Sequence, residues 1–224
     1  MQIGNFYYIK YKISDLRANQ ILKQIQPAKL RKKFNILVID DDEFPLLQDL
    51  QNHEFCITYK DEISDLKDVE AYQIILCDIN GVGKFLGSES DGAYLAYQIK
   101  KRYSDKVVIS YTADNTSINS QKYLNCVDKI MSKGTPIEDW ASLLDEVIED
   151  FTSPIIAWDR IVKTLIKAMV PLKDIAVLEH KYVKAITKNN LKNLEDLCEN
   201  SSDNISVVLK NSLVLIIDVL KSIL

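Results

Sequence analysis

The stretch YQIILCDIN at residues 72–80 decides the fold. It opens with an uninterrupted apolar run, Tyr72–Cys77, and ends in Asp78, Ile79 and Asn80. A short run of this kind is typical of a β-strand that is covered on both faces, as strands of parallel sheets are. The acid that follows it is therefore expected at the carboxyl edge of the sheet, where ligands bind in open α/β folds.

Strand-like and helix-like stretches alternate on both sides of this run. The predicted strands are Phe34–Ile39, Phe55–Tyr59, Tyr72–Cys77, Val107–Tyr111 and Val127–Met131. The predicted helices are Pro45–Leu50, Ile63–Val69, Ala93–Tyr103, Ser117–Leu124 and Ile137–Phe151. This order predicts an α/β fold, a five-stranded parallel doubly wound (βα)5 sheet with helices on both faces.

The tail from Ser153 onward has no strand alternation. Apolar residues at helical spacing predict helices over Ile155–Val170, Ile175–Lys188 and Ile205–Leu224. We expect a small all-α C-terminal extension, a helical hairpin or bundle that dimerises the chain or docks an effector protein. Trp140 and Trp158 stand at helical spacing from apolar neighbours, which predicts that both are core anchors.

The distribution of charge divides the chain into three parts. Residues 1–33 carry a net charge of +7, residues 34–150 a net charge of -13, and residues 151–224 a net charge of +2. We therefore predict a basic N-terminal arm at 1–33, an α/β domain at 34–151 and a helical module at 152–224. The arm has eight basic residues with few interleaved aromatic ones, so we do not expect it to bind nucleic acid.

The apolar runs and the cysteines predict a cytoplasmic protein. The longest apolar run near the C-terminus, Leu213–Ile217, is too short to span a bilayer, and the N-terminus does not resemble a signal peptide. The four cysteines lie far apart and lack metal-ligand spacing. We expect them to be reduced and mostly buried thiols, and we expect no association with a membrane.

Polar side chains follow four of the five predicted strands. Asp40 and Asp41 follow the first, Asp78 the third, Thr112 the fourth and Lys133 the fifth. Carboxylates that converge at one edge are unfavourable unless a cation neutralises them, and oxygen ligands suit Mg²⁺. Asp78 could then attack phosphorus, while Lys133 offers a charge and Thr112 a hydrogen bond to the phosphoryl oxygens.

Residues 34–151 resemble the response-regulator receiver domain of two-component phosphorelays. The matching stretches are Ile36–Asp42, Ile74–Asn80, Ile109–Ala113 and Asp128–Lys133. The resemblance implies a flavodoxin-like receiver in which Asp40, Asp41, Asp78 and the main-chain carbonyl of Asn80 hold Mg²⁺. It also implies that Asp78 is the phosphoacceptor, that Thr112 is the switch hydroxyl and that Lys133 is the phosphate-binding lysine.

The function that this resemblance implies is that of a signalling receiver. A histidine kinase or a small phosphodonor would phosphorylate Asp78, and the conformational change would pass to the helical output or dimerisation module. Enzymatic activity would be at most self-catalysed aspartyl phosphorylation and dephosphorylation. The alternative is a degenerate receiver that acts as a phosphorylation-independent interaction scaffold.

The sequence departs from the receiver pattern after the phosphoacceptor. The matching glycine, Gly92, stands 14 residues after Asp78, about six more than is usual in the family. The insertion at 79–91 is either a functional loop (a lid, a partner contact or a kinase-specificity element) or simply a longer loop. Its glycines lack the spacing and the helix of a dinucleotide-binding loop, so we expect no nucleotide there.

Two departures concern the switch. Gly134 stands where the family usually has proline, and Ile130 where it usually has an aromatic residue. We expect the Thr–aromatic coupling to be weak or rerouted. Tyr111 neighbours Thr112, but adjacent strand residues face opposite sides, which argues against a substitute role. His180 in the tail lacks the surroundings of a phosphotransfer histidine and is interpreted as a surface residue without a role.

Overall fold

The protein is described by a computed structural model over residues 11–18, 26–87, 91–113 and 118–199 and at seven positions between 205 and 221. The predictions for residues 1–10, 19–25, 88–90 and 114–117, which include Ser117, and for most of the last predicted helix lie outside the described residues. The chain forms two compact units. We call Pro27–Ile148 the α/β unit, and Met1–Gln26 together with Glu149–Leu224 the helical unit.

A five-stranded parallel sheet forms the centre of the α/β unit. Its strands are β1 (Asn35–Ile39), β2 (Cys56–Lys60), β3 (Ile74–Asp78), β4 (Val107–Thr112) and β5 (Lys129–Ser132). The spatial order is β2-β1-β3-β4-β5, and every neighbouring pair is parallel. This is the flavodoxin-like order, so the predicted fold class is confirmed.

The burial of each strand follows its place in the sheet. All residues of β3 and β4 are buried, as are the last four of β1, because these central strands are covered on both faces. The edge strands β2 and β5 instead mix exposed and less exposed positions. The apolar runs of the sequence therefore mark the central strands, and the more polar runs mark the edges.

Three α-helices and a tight turn connect the strands, and a fourth α-helix follows the last strand. The helices are α1 (Leu47–Asn52), α2 (Asp91–Arg102), α3 (Ile118–Leu124) and α4 (Ile137–Thr152). The connection from β2 to β3 contains a single 3-10 turn, Leu66–Val69, where the sequence predicts a longer helix. Asp65 and Asp68 cap this turn reciprocally, so the backbone amides that would start a longer helix are already satisfied.

The helical unit has a core of its own. Its helices are α5 (Pro154–Lys167), α6 (Leu172–Thr187) and α7 (Leu191–Glu199), with a 3-10 helix at Ile13–Ala18. The residues described between 205 and 221 are also helical. Trp158 stacks on Tyr182 at 5.0 Å between ring centroids, and Leu16 is buried in the same cluster. The described residues 11–18 of the predicted arm thus belong to this unit.

The tryptophans and the cysteines differ in how far they are buried. Trp140 and Trp158 are both buried, which confirms them as core residues. All four cysteines are free, but only Cys77 and Cys198 are buried. Among the described residues, no helix combines the length and apolar character needed to cross a membrane.

Candidate functional site at the carboxyl edge of the sheet

The parallel sheet brings the predicted polar residues to one edge. Asp40 directly follows β1, Asp78 ends β3, Thr112 ends β4 and Lys133 directly follows β5. In a parallel sheet all strands point the same way, so their carboxyl ends meet at a common edge. The prediction that these side chains lie together follows from the strand order, and the distances below bear it out.

Three carboxylates form an acid cluster at this edge. Asp40, Asp41 and Asp78 each offer one oxygen, and these oxygens all lie within 4.8 Å of one another. Asp40 is 0% exposed and Asp78 is 3% exposed, whereas Asp41 is exposed. Like charges at this distance repel, and burial strengthens the repulsion because little water screens it. The cluster is therefore a place where a cation is favourable.

Lys133 partly neutralises the two buried acids. Its Nζ lies 2.6 Å from Oδ2 of Asp78 and 3.1 Å from Oδ2 of Asp40. Burial raises the pKa of Asp78, and the charge of Asp40 adds to that rise, although the bonds from Lys133 and Asn80 oppose it. Burial alone would lower the pKa of Lys133, but its bonds to Asp78 and Asp40 raise it above its ordinary value. One ammonium is thus shared between two carboxylates.

Asn80 connects the ends of β3 and β4. Its backbone amide donates to Oδ1 of Asp78 at 3.3 Å, and its side-chain amide donates to Oγ1 of Thr112 at 3.2 Å. Asn80 therefore links the hydroxyl of Thr112 to the carboxylate of Asp78. All six predicted site residues are accordingly close to one another: Asp40, Asp41, Asp78, Asn80, Thr112 and Lys133.

Two tyrosines at the site were not assigned by sequence reasoning. The hydroxyl of Tyr111 donates to Oδ2 of Asp40 at 2.9 Å inside the core. The hydroxyl of Tyr59 donates to the main-chain carbonyls of Asp40 and Asp42, at 2.7 and 2.9 Å. Burial raises the pKa of both tyrosines, and the charge of Asp40 raises it further. Both hydroxyls therefore stay protonated and act as hydrogen-bond donors. Their only sequence signal is an aromatic residue near the end of a strand.

The described part of the 79–91 insertion is anchored close to the acid cluster. Glu62 accepts hydrogen bonds from the amides of Gly83 and Lys84, each at 2.9 Å. The Nζ of Lys84 reaches Oδ2 of Asp41 at 3.2 Å. Gly81 has φ +76°, a left-handed conformation that favours glycine, and a Cβ there would lie 2.0 Å from Oδ1 of Asp41.

Gly92 is the second residue of α2 and is also constrained by close packing. A Cβ at this position would lie 1.8 Å from the carbonyl oxygen of Asp78. The first turn of α2 therefore packs directly on the backbone of the central acid. The interpretation of Gly92 as the glycine that matches the receiver pattern stays a prediction.

The predicted switch position does not carry an inward-facing side chain. Ile130 on β5 is 48% exposed. The residue that packs beside Asp40 is Tyr111, which is completely buried. His180 does not belong to this site. It lies half-buried in the helical unit, where its Nδ1 accepts the backbone amide of Tyr11 at 3.2 Å, so it has a structural contact that the sequence interpretation missed.

The donor set of the acid cluster fits Mg²⁺. Its three carboxylates supply oxygen only, and two of them are buried with a single shared ammonium between them. Mg²⁺ is a hard cation that binds through one or a few carboxylates while keeping several waters. The exposure of Asp41 leaves one side of the cluster open to such waters.

Comparison with known proteins gives matches at the level of structure. No protein-family profile matches the chain, and no curated protein sequence matches it. A two-component response regulator from Clostridium difficile is 19% identical, with 54% of this chain and 99% of that chain covered and a TM-score of 0.45. A CheY-like receiver domain from Methanospirillum hungatei is also 19% identical, with 52% and 94% covered and a TM-score of 0.43.

A third similar structure extends over more of the chain. It is a response regulator from Burkholderia pseudomallei that contains a phosphorylated aspartic acid, a calcium ion and citrate. The identity is 17%, the alignment covers 78% of this chain and 96% of that chain, and the TM-score is 0.41. The three similar structures named here are response regulators or receiver domains, and two of them cover about half of this chain.

Proposed function

We propose that the α/β unit is a phosphorelay receiver that accepts a phosphoryl group on Asp78. The observation that carries this proposal is the position of Lys133, whose Nζ lies 2.6 Å from the Asp78 carboxylate inside a cluster of three acids. A buried carboxylate with a lysine beside it at the carboxyl edge of a sheet has both a nucleophilic oxygen and a charge to stabilise the phosphoryl oxygens.

The acid cluster would hold Mg²⁺ through Asp40, Asp41 and Asp78, with the main-chain carbonyl of Asn80 as the ligand that the receiver resemblance adds. Bound there, the ion would offset the negative charge that gathers on the phosphoryl oxygens. The role of the chain is to hold its carboxylates close together in spite of their repulsion. The hydroxyls of Tyr59 and Tyr111 and the ammonium of Lys133 contribute to this.

The covalent step is an in-line displacement at phosphorus. One carboxylate oxygen of Asp78 attacks the phosphoryl group of a phosphohistidine or of a small acyl phosphate. A new O–P bond forms while the bond from phosphorus to the donor breaks, and the donor leaves with that electron pair. The product is an aspartyl phosphate, and water reverses the modification by hydrolysis.

The new phosphoryl group would change the hydrogen bonds of the edge. Lys133, now shared between two carboxylates, would turn toward the phosphoryl oxygens, and Thr112 could donate its hydroxyl to them. We propose a histidine kinase as the physiological phosphodonor and an effector protein, or a second copy of the chain, as the partner of the helical module. These partners follow from the receiver resemblance.

The proposal is tested by labelling with radioactive acetyl phosphate in the presence of Mg²⁺. The wild-type protein should incorporate label, and the Asp78→Ala variant should incorporate none. Asp49→Ala is the matched control, because Asp49 is an exposed acid on α1 outside the cluster. Equal labelling of Asp78→Ala and wild type would refute the assignment. A wild-type protein that neither binds Mg²⁺ nor takes up label would favour the scaffold function instead.

A further inference from the structure

Tyr111 carries the one tyrosine hydroxyl, within the described part of the chain, that bonds a carboxylate of the acid cluster. It lies on β4 immediately before Thr112, and both it and Asp40 are 0% exposed. The bond from its hydroxyl to Oδ2 of Asp40 is 2.9 Å long. A hydrogen bond to a buried charged group is among the stronger ones in proteins, and an unpaired buried oxygen is costly.

The ring of Tyr111 is held from two sides by other aromatic residues. Its centroid lies 5.3 Å from that of Phe44 and 5.9 Å from that of Trp140, which meets it edge-on. Phe44 and Trp140 also contact each other at 6.0 Å. Phenylalanine would fill this space as well as tyrosine does, so the packing accounts for the ring but not for the hydroxyl. The hydroxyl is accounted for by Asp40.

The groups that donate hydrogen bonds to Asp40 differ in whether they also bond Asp78. Lys133 is shared with Asp78, whereas the backbone amide of Asp42, at 3.1 Å, and the hydroxyl of Tyr111 donate to Asp40. If Lys133 turns to a phosphoryl group on Asp78, Tyr111 is the side chain that still orients Asp40.

We propose that Tyr111 is a positioning residue of the acid cluster. It holds the Asp40 carboxylate in the orientation that receives a divalent cation, and its ring connects Asp40 to Trp140 on α4. This inference rests on the proposed function, since it concerns how the same cluster binds its cation.

The test compares two tyrosine variants that each lose one buried hydroxyl. Tyr111→Phe keeps the packed ring and removes the bond to Asp40. Tyr182→Phe is the matched control, because the hydroxyl of Tyr182 is equally buried and bonds a carbonyl, that of Pro154, at 2.8 Å in the helical unit. Mg²⁺ affinity is measured by isothermal titration calorimetry, and folding by circular dichroism and thermal unfolding.

We expect Tyr111→Phe to weaken Mg²⁺ binding about tenfold or more, as removal of a partner of a metal ligand usually does. Tyr182→Phe should lower the unfolding temperature but leave Mg²⁺ affinity within twofold of wild type. A second measurement follows the change in Trp140 fluorescence when Mg²⁺ binds. The part of the signal that comes from Trp140 is identified by its loss in Trp140→Phe. At saturating Mg²⁺, this change should be smaller in Tyr111→Phe than in wild type. A purely structural role would not change that saturating signal.

A double-mutant comparison shows whether Tyr111 acts through Asp40. In an Asp40→Asn background, Tyr111→Phe should cause little further loss of Mg²⁺ affinity; two independent, additive losses would overturn the inference. An affinity of Tyr111→Phe within twofold of wild type would also overturn it, while leaving the receiver function intact if wild type is still labelled by acetyl phosphate. A wild-type protein without Mg²⁺ binding or labelling would overturn both proposals together.

Discussion

The two units of this protein use acidic side chains in opposite ways. In the helical unit, Glu179 accepts the amide of Ile13 at 3.0 Å and the indole N–H of Trp158 at 3.2 Å, one on each carboxylate oxygen. In the α/β unit, the buried Asp40 and Asp78 share the ammonium of Lys133. The first acid completes a set of hydrogen bonds, whereas the second pair leaves negative charge in excess.

This difference indicates which unit contains the candidate binding or reactive site. A half-buried acid such as Glu179 that accepts hydrogen bonds from its neighbours' donors stabilises the fold around it. Buried acids that repel each other lower stability, and a protein keeps them where they bind or react with something. The excess charge at the sheet edge is therefore the physical feature that separates the candidate site from the rest of the described structure.

Replacing each acid by its amide should change the stability of the two units in opposite directions. We expect the larger change in the free energy of unfolding from the substitution in the helical unit. Glu179→Gln keeps the shape of the side chain, but its NH₂ group faces one of the two N–H donors and cannot accept from it. We expect a loss of about 2 kcal/mol in the free energy of unfolding, the value of a hydrogen bond to a charged group. Chemical denaturation at pH 7 measures it.

Glu195 gives a control for this substitution. Its carboxylate forms an exposed ion pair with Lys221, 45% and 52% exposed respectively, in the same unit. Such pairs contribute little, so Glu195→Gln should change the free energy of unfolding by less than about 1 kcal/mol. Equal effects of the two substitutions would mean that Glu179 has no special role in joining Ile13–Ala18 to α5 and α6.

The same change at the sheet edge should have the opposite sign. Asp78→Asn removes one of two charges that compete for Lys133, and we expect it to stabilise the protein by about 1 kcal/mol at pH 7 without divalent cations. Burial raises the pKa of Asp78, so the folded protein holds this proton more tightly than the unfolded chain does. The cost of the charge is therefore present at neutral pH and disappears as pH falls through that raised pKa.

Thermal unfolding in EDTA as a function of pH tests this prediction. The stability advantage of Asp78→Asn over wild type should be largest near neutral pH and should shrink in acid. Asp49→Asn, on the exposed surface of α1, should show no such advantage. A less stable Asp78→Asn protein would mean that the ion pair with Lys133 outweighs the repulsion, and the comparison between the two units would fail.

The sequence predicts the strand-end residues well because their positions depend only on the direction of the chain. Apolar runs that end in Asp40, Asp78 and Thr112 identify the edge, and parallel pairing brings those ends together without further information. The Tyr59 and Tyr111 hydroxyls could not be predicted in this way. Whether they reach Asp40 depends on strand register and on the rotamer of each ring, which no local pattern encodes.

Elements stabilised mainly by tertiary packing were also difficult to predict. Helix α7 is short and was not assigned from the sequence, and its inward side chains, Leu194, Leu197 and Cys198, are buried only because the other helices cover them. Residues 11–18 carry basic side chains typical of a surface arm, yet Leu16 is 2% exposed. Two apolar residues in a short 3-10 helix are too few to indicate packing by their spacing.

The smallest expected effect concerns the insertion beside the acid cluster. Lys84 approaches Asp41 with its side chain 64% exposed, so the pair is screened by water and is worth about 0.2–1 kcal/mol. Because Asp41 is a proposed Mg²⁺ ligand, the ammonium and the cation compete for it, and Lys84→Ala should raise Mg²⁺ affinity by up to about fivefold at low salt.

Salt and a matched lysine variant separate this competition from a general change in charge. At an ionic strength of about 0.5 M the effect of Lys84→Ala should nearly vanish, because the Debye length falls below about 5 Å. Lys67→Ala removes the same charge from an exposed position in the Leu66–Val69 turn and should leave Mg²⁺ affinity almost unchanged. If both variants bind Mg²⁺ equally well at low salt, the insertion does not act on the cluster through Lys84. A selective gain in Lys84→Ala would instead make the insertion a part of the site that weakens cation binding, which is the opposite of the effect that we propose for Tyr111.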